Sequence, residues 1–196
     1  MEDLIAQSES LIQWLDRTLN GVEIKSDLRS RLAAGCLNAA LEHQKAIILL
    51  VHKKLYGSAY ALIRVFYESY IRGVWLHHCA SDAELNNFRH GKVKKKFGEL
   101  VQDIETVDGY EVGVLSKIKN GSWKAMNSYT HSGNLQVVRR LNDQYIESNY
   151  EESEVREVVN FTNAMAFQVA VAIALLAGNE NVANALLAKA EEFWQK

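Results

Sequence analysis

The sequence contains no proline. Proline breaks helix interiors and populates the connections of sheet proteins. Average usage would supply about ten in a chain of this length. Their absence, beside plentiful Ala, Leu, Glu and Lys, predicts helices joined by short turns. It excludes collagen-like, proline-rich disordered and loop-rich disulfide-stapled classes. Cysteine is nearly as scarce, with Cys36 and Cys79 alone. Two thiols suit a reducing compartment, each as a small buried apolar side chain. The N-terminus, MEDLIAQSESLIQW, is acidic and amphipathic and lacks the cationic start and unbroken apolar core of a secretory leader. The longest apolar stretch, Ala164 to Ala177, is 14 residues and includes Gln168. A bilayer crossing needs about 20. The expectation is a cytoplasmic protein without membrane contact.

The signatures of common cofactor chemistry are also missing. There is no Gly-x-Gly-x-x-Gly, P-loop, His-Glu-x-x-His or Cys-x-x-Cys pattern, and no DNA-binding motif. None of the histidines at 43, 52, 77, 78, 90 and 131 pairs with a carboxylate at metal-ligand spacing. Glu42-His43 lacks the repeated Glu-x-x-His of a di-iron bundle. No metal and no cofactor are expected.

What is present reads as helix from end to end. At 22.1 kDa the chain suits one domain over 1–196. Leucines at 4, 11, 15 and 19 form one helical stripe over 3–19. Residues 24–55 read as a long helix capped by Ser26 or Asp27. Gly57 stops it and Ser58 opens the next helix, about 58–80, so the two form an antiparallel hairpin. Ser81-Asp82-Ala83-Glu84 is a capping box for a short helix over 82–90. Helices follow at 92–106, 110–119, 122–131 and 134–142, with turns at Asp108-Gly109, Asn120-Gly121 and Ser132-Gly133. A polar stretch leads to long helices at 151–177 and on to Trp194. The predicted fold is all-α: a single bundle of four or five long helices with short helices inserted in the middle. The apolar excess of the C-terminal helices also suggests a homodimer.

Charge is unevenly spread. Residues 89–140 carry ten basic and five acidic side chains, whereas 141–196 carry three and nine. The basic island is densest at Arg89-His90-Gly91-Lys92-Val93-Lys94-Lys95-Lys96. Three readings stay open: a solvated helix face, a phosphate-facing patch, or a surface that packs on the acidic third.

Three local features carry possible chemistry. In the helix from Ser58 to Ala80, residues Ala59 to Leu76 are nearly all apolar or aromatic, with Arg64, Glu68, Ser69 and Arg72 as the exceptions. Its charges fall at i, i+4 and i+8, in one line. They form either an internal ion-pair ladder or the wall of a polar cleft. Next, Arg72-Gly73-Val74-Trp75-Leu76-His77-His78 places a histidine five residues after an arginine, though two histidines at a helix C-terminus also suit the dipole. Third, Asn127 and His131 share a helix face, and Gly133 can turn the chain behind them so that Gln136, Arg139 and Arg140 come back. That corner is either an anion pocket or a hydrogen-bonded helix terminus.

The segment Ser58-Ala59-Tyr60-Ala61-Leu62-Ile63-Arg64, with Glu68 to Arg72, Trp75-Leu76, Asn127 to Gly133 and Gln136 to Arg140, resembles a family of uncharacterised bacterial helical proteins. The layout is similar to HEPN-type bundles of toxin–antitoxin and phage-defence systems, which often dimerise and cleave RNA without metal. The resemblance implies an effector in which His131, Arg72 and Glu68 are catalytic, with Arg64, Asn127, Gln136, Arg139 and Arg140 holding phosphate or another ligand. RNA or an antitoxin-like protein would be the partner. The alternative is a non-catalytic helical module that binds a partner protein or a small anionic ligand.

Overall fold

The computed structural model describes residues 1–195. They form α1 (Glu2–Leu19), α2 (Leu28–His52), α3 (Tyr56–His78), α4 (Asp82–Arg89), α5 (Phe97–Ile104), α6 (Val114–Thr130), α7 (Asn134–Val138), α8 (Glu152–Leu176) and α9 (Glu180–Trp194). The protein is an all-helical bundle, as the composition predicts.

The hairpin of α2 and α3 is its centre, and these two helices share the most extensive contact in the molecule. Asp27 caps α2 by accepting from the Ser30 backbone N–H at 3.0 Å. Gly73 lets the pair close: a Cβ there would lie 2.7 Å from Leu37 Cγ and 3.2 Å from the Ala33 carbonyl oxygen. α8 lies across the hairpin, α1 packs on α8 and α2, and α9 folds back on α8. α1 presents Leu4, Ser8, Leu11 and Leu15 inward. Its buried Ser8 hydroxyl accepts from Asn163 of α8 at 2.8 Å. On the other side of α3 sit α5 and α6. By length and composition α8 is apolar enough to cross a membrane, and 56% of its most apolar window is buried within the protein. The apolar run therefore extends further toward the N-terminus than 164–177, and α1, α2, α3 and α9 cover it.

Several boundaries differ from expectation. Gly57 does not stop α2. Lys54 makes that turn at φ 57, and Gly57 lies buried in the first turn of α3. The Asn120-Gly121 turn does not exist, because α6 runs unbroken through it. A mid-helix glycine costs about 1 kcal/mol. Burial of Leu115, Met126 and Tyr129 from the same helix contributes more, at roughly 1.5–3 kcal/mol for each large side chain. The expected helix 92–106 shrinks to α5, whose start is set by the Glu99 carboxylate accepting from the Lys96 backbone N–H at 2.6 Å. The expected helix 134–142 ends at Val138, and the chain turns into a narrow hairpin closed by an antiparallel bridge between Leu141 and Ile146. The capping box at Ser81 and Glu84 forms as predicted.

Candidate functional site

The three charges of α3 make a continuous ladder. Arg64 Nε donates to Glu68 Oε1 at 2.8 Å, and Arg72 Nη2 donates to Glu68 Oε2 at 3.3 Å. The side chains of Arg64, Glu68 and Arg72 are 20%, 18% and 33% exposed. The ladder is therefore part-buried at the edge of the protein, where pairing offsets a real desolvation cost. One carboxylate serves two guanidiniums, which leaves one positive charge unmatched within the three.

α6 supplies a second row, Trp123, Asn127 and His131, spaced four residues apart. The Arg64 guanidinium stands 4.9 Å from the Trp123 ring centroid, a cation–π contact. Phe97 of α5 stacks on the same indole at 4.4 Å, with the ring planes 7° apart. Beyond it, Arg64 Nη1 lies 2.5 Å from His131 Nε2. A guanidinium only donates, so Nε2 accepts and the ring carries its proton on Nδ1. Arg64 is thus held by a carboxylate, an aromatic face and an imidazole, and still has unspent N–H donors. Asn127, one turn before His131, has a buried side-chain oxygen with no hydrogen-bond partner.

The corner behind His131 explains its placement. The left-handed residue is Ser132, at φ 52, and not Gly133, whose φ is −72. Gly133 is needed for closeness instead. A Cβ there would lie 2.6 Å from Ser128 Oγ and 3.0 Å from the Ser128 Cα and carbonyl oxygen. Its own N–H donates to that oxygen at 2.6 Å. The Thr130 hydroxyl reaches the Ala61 carbonyl of α3 at 3.1 Å, tying α6 to α3. His131 is consequently exposed on a rigid corner.

Gln136, Arg139 and Arg140 do not join His131. Gln136 Nε2 donates to the Gly57 carbonyl at 3.4 Å, and Arg140 Nη2 would lie 3.1 Å from a Cβ on Gly57. Gly57 and Arg64 are seven residues apart on α3, about 10 Å along the axis. Arg139 donates to Glu154 and lies 5.8 Å from the Tyr150 ring centroid. Tyr60 sits between Tyr129 and Tyr150, 5.0 Å from each. Burial, more than the nearby Glu154, holds the Tyr60 phenol well above its ordinary range. The pocket expected from the sequence is therefore two clusters at different levels of α3.

The literal Arg-to-His spacing also comes apart. Arg72 is turned to Glu68, whereas His77 lies against His78 with ring centroids 4.2 Å apart. Burial first, and then His78 and Arg29, push His77 down to about 4, so it is neutral at pH 7. In the basic island, Lys95 turns inward to Asp103, which also accepts from the Trp75 indole at 2.8 Å. Lys92, Lys94 and Lys96 stay exposed. Among the described residues, no three His, Cys, Asp or Glu side chains gather as a metal-holding group.

A family model matches residues 37–196. The chain belongs to DUF6988, a family of unknown function. The matched span opens inside α2 and contains α3, α6 and every side chain of both clusters, while α1 lies outside it. No curated protein and no solved structure matches the chain. For this DUF6988 protein, Trp123 and Phe97 are the site residues that sequence reasoning missed. Trp123 stands eight residues before His131, on the same helical face, and that spacing was the available signal.

Proposed function

We propose that this DUF6988 protein is an HEPN-like effector of the toxin or phage-defence type that binds and cleaves RNA without metal. The contact between Arg64 and His131 on an exposed corner carries the reading. Phosphodiester transfer needs a cation for the charge that builds on phosphorus-bound oxygens and a base for the 2′-hydroxyl. Here the arginine spends one donor on the base itself. An arriving phosphate would draw Arg64 away and free the His131 Nε2 lone pair. That nitrogen would take the 2′-hydroxyl proton as the 2′-oxygen attacks phosphorus. The 5′-oxygen leaves with a proton from solvent, and a 2′,3′-cyclic phosphate remains. Glu68 would hold Arg64 in register, and Arg72 would extend the positive edge.

The test is cleavage of tRNA and mixed oligoribonucleotides by the purified protein in chelator. Products ending in 2′,3′-cyclic phosphate are expected from wild type and not from His131→Ala. A His131→Ala variant that cuts as well as wild type, or a wild type that cuts nothing, sinks the nuclease reading. One observation favours the second reading, a non-catalytic module that binds an anionic ligand: the His131 lone pair is already occupied. RNA retention without cleavage, lost in Arg64→Ala, would select it.

A further inference from the structure

The lysines of the basic island differ in what holds them. Lys95 is taken by Asp103. The Glu99 carboxylate is taken by the Lys96 backbone N–H, and Glu105 accepts from the Ser116 N–H and hydroxyl at 2.7 and 2.5 Å. Three acidic groups of the segment are thus committed to helix starts and to one lysine. Lys92, Lys94 and Lys96 are exposed and Lys119 is half-buried. None of these four has an ion-pair partner among the described residues.

Two of the free lysines connect to Arg64 through a chain of contacts. The Arg64 guanidinium lies over Trp123, and Trp123 stacks on Phe97. Lys96 directly precedes Phe97, and Gly98 follows it. Lys119 crosses from α6 onto that glycine: its Cε and Nζ would lie 3.3 and 3.4 Å from a Cβ on Gly98. The missing side chain gives the lysine a seat on the first turn of α5. That turn is the positive end of a helix, so the ammonium sits against the local field with no ion-pair partner to offset it. Lys119 and His131 are twelve residues apart on the same helix, about 18 Å along its axis.

We propose that the edge from His131 through Arg64 to Lys119 and Lys96 is the track of one RNA strand, with the phosphate to be cleaved at Arg64 and another phosphate of the same strand at Lys119. The track rests on the RNA reading and adds which cations of the island meet the strand. A span of about 18 Å is longer than one phosphodiester, so Lys119 serves a second phosphate and not the reacting one. Contacts of this kind position a strand without reading its sequence. Lys95, in the middle of the same run, takes no part, because Asp103 already holds it. Charge along the chain does not separate Lys95 from Lys96, and their pairing does.

The test compares a dinucleotide, which has one phosphodiester, with an octanucleotide of mixed sequence, both cleaved by the full chain in chelator. Wild type should favour the octanucleotide in kcat/KM. Lys119→Gln and Lys96→Gln should each raise KM for the octanucleotide about three- to fivefold, with kcat unchanged, and leave the dinucleotide unaffected. Binding of the octanucleotide to His131→Ala protein is followed by fluorescence anisotropy at several salt concentrations. Each lysine removed should lower the slope of log affinity against log salt by about 0.7. Lys95→Gln removes the same charge and should change neither quantity. All variants are checked for an unchanged circular dichroism spectrum. If the octanucleotide is bound but not cut, the salt slope alone decides. Lys119→Gln and Lys96→Gln variants that match wild type, or an equal loss in Lys95→Gln, overturn the track and leave the RNA reading standing. A wild type that neither binds nor cuts either RNA overturns both.

Discussion

Two arginine clusters lie along α3, and they differ in what they leave unused. At the N-terminal end Arg139 is matched one-to-one with Glu154 and covered by the Tyr150 ring. Two turns on, Glu68 is shared by Arg64 and Arg72, and the remaining ligand of Arg64 is a titratable ring on an exposed corner. Both clusters read alike in sequence, as arginines beside polar residues. The difference teaches that a cation marks a site by its unspent donors and accessibility, and not by its presence. Arg139 is part of the packing of α7 and α8, whereas Arg64 keeps unspent N–H donors beside an exposed imidazole.

The largest expected effect separates the two by activity. Arg64→Ala should reduce RNA cleavage by about 10²–10³-fold, the range for removing a charge-stabilising donor. Arg139→Ala should leave the rate within about threefold, as befits a group that touches no reacting atom. Equal losses in both variants would erase the distinction.

Next comes the corner. Gly133→Ala forces a Cβ against Ser128 and should cost about 1–3 kcal/mol, the usual range for overpacking. Urea denaturation measures that loss. Cleavage by the fraction still folded should fall too, because His131 moves with the corner. A variant with unchanged stability would show that Ser128 yields freely.

The pH dependence distinguishes the two histidine environments. Burial keeps His77 unprotonated down to about 4, while the unfolded chain takes up its proton near 6.5. The folded state binds fewer protons in that window, so stability rises with pH from about 4 to 6.5 and is lost as pH falls through the same range. After discounting for partial exposure, the contribution is on the order of 1–2 kcal/mol. Thermal melts of His77→Gln should show a flatter acid limb than wild type. An identical limb would place the acid sensitivity elsewhere.

The smallest effect is on stability at the closed cluster. Arg139→Ala should lower the unfolding free energy by about 1 kcal/mol or less, since both partners are about one-third exposed. A double-mutant cycle with Glu154→Gln isolates the pair, and a coupling well above that figure would mean the tyrosines make it a buried network.

Much of this was readable in the chain itself. The absence of proline and the 3.6-residue stripes set the helices, and local chemistry set the Asp27 cap and the Ser81–Glu84 box, because caps depend on residues three apart. The line of Arg64, Glu68 and Arg72 was likewise legible, since i, i+4 neighbours meet on any helix. Turn residues were read less well. Gly121 suggested a break that packing overrode, and Gly57 and Gly133 are glycines because Arg140 and Ser128 come close to them, a fact that resides in other segments. Ser132 and Lys54 make the left-handed turns in their place.

Which cation meets which partner was decided only in three dimensions. Arg64 and His131 are 67 residues apart, and nothing local links them. The angle at which α6 crosses α3 brings Trp123 and His131 to one guanidinium, and the return of α7 carries Arg139 past it to Glu154. Periodicity is a property of one segment, so the sequence determined the helices and their apolar faces. Contact between distant polar groups depends on how those faces settle on a shared core, so the tertiary structure alone divided the predicted pocket into an open site and a closed one.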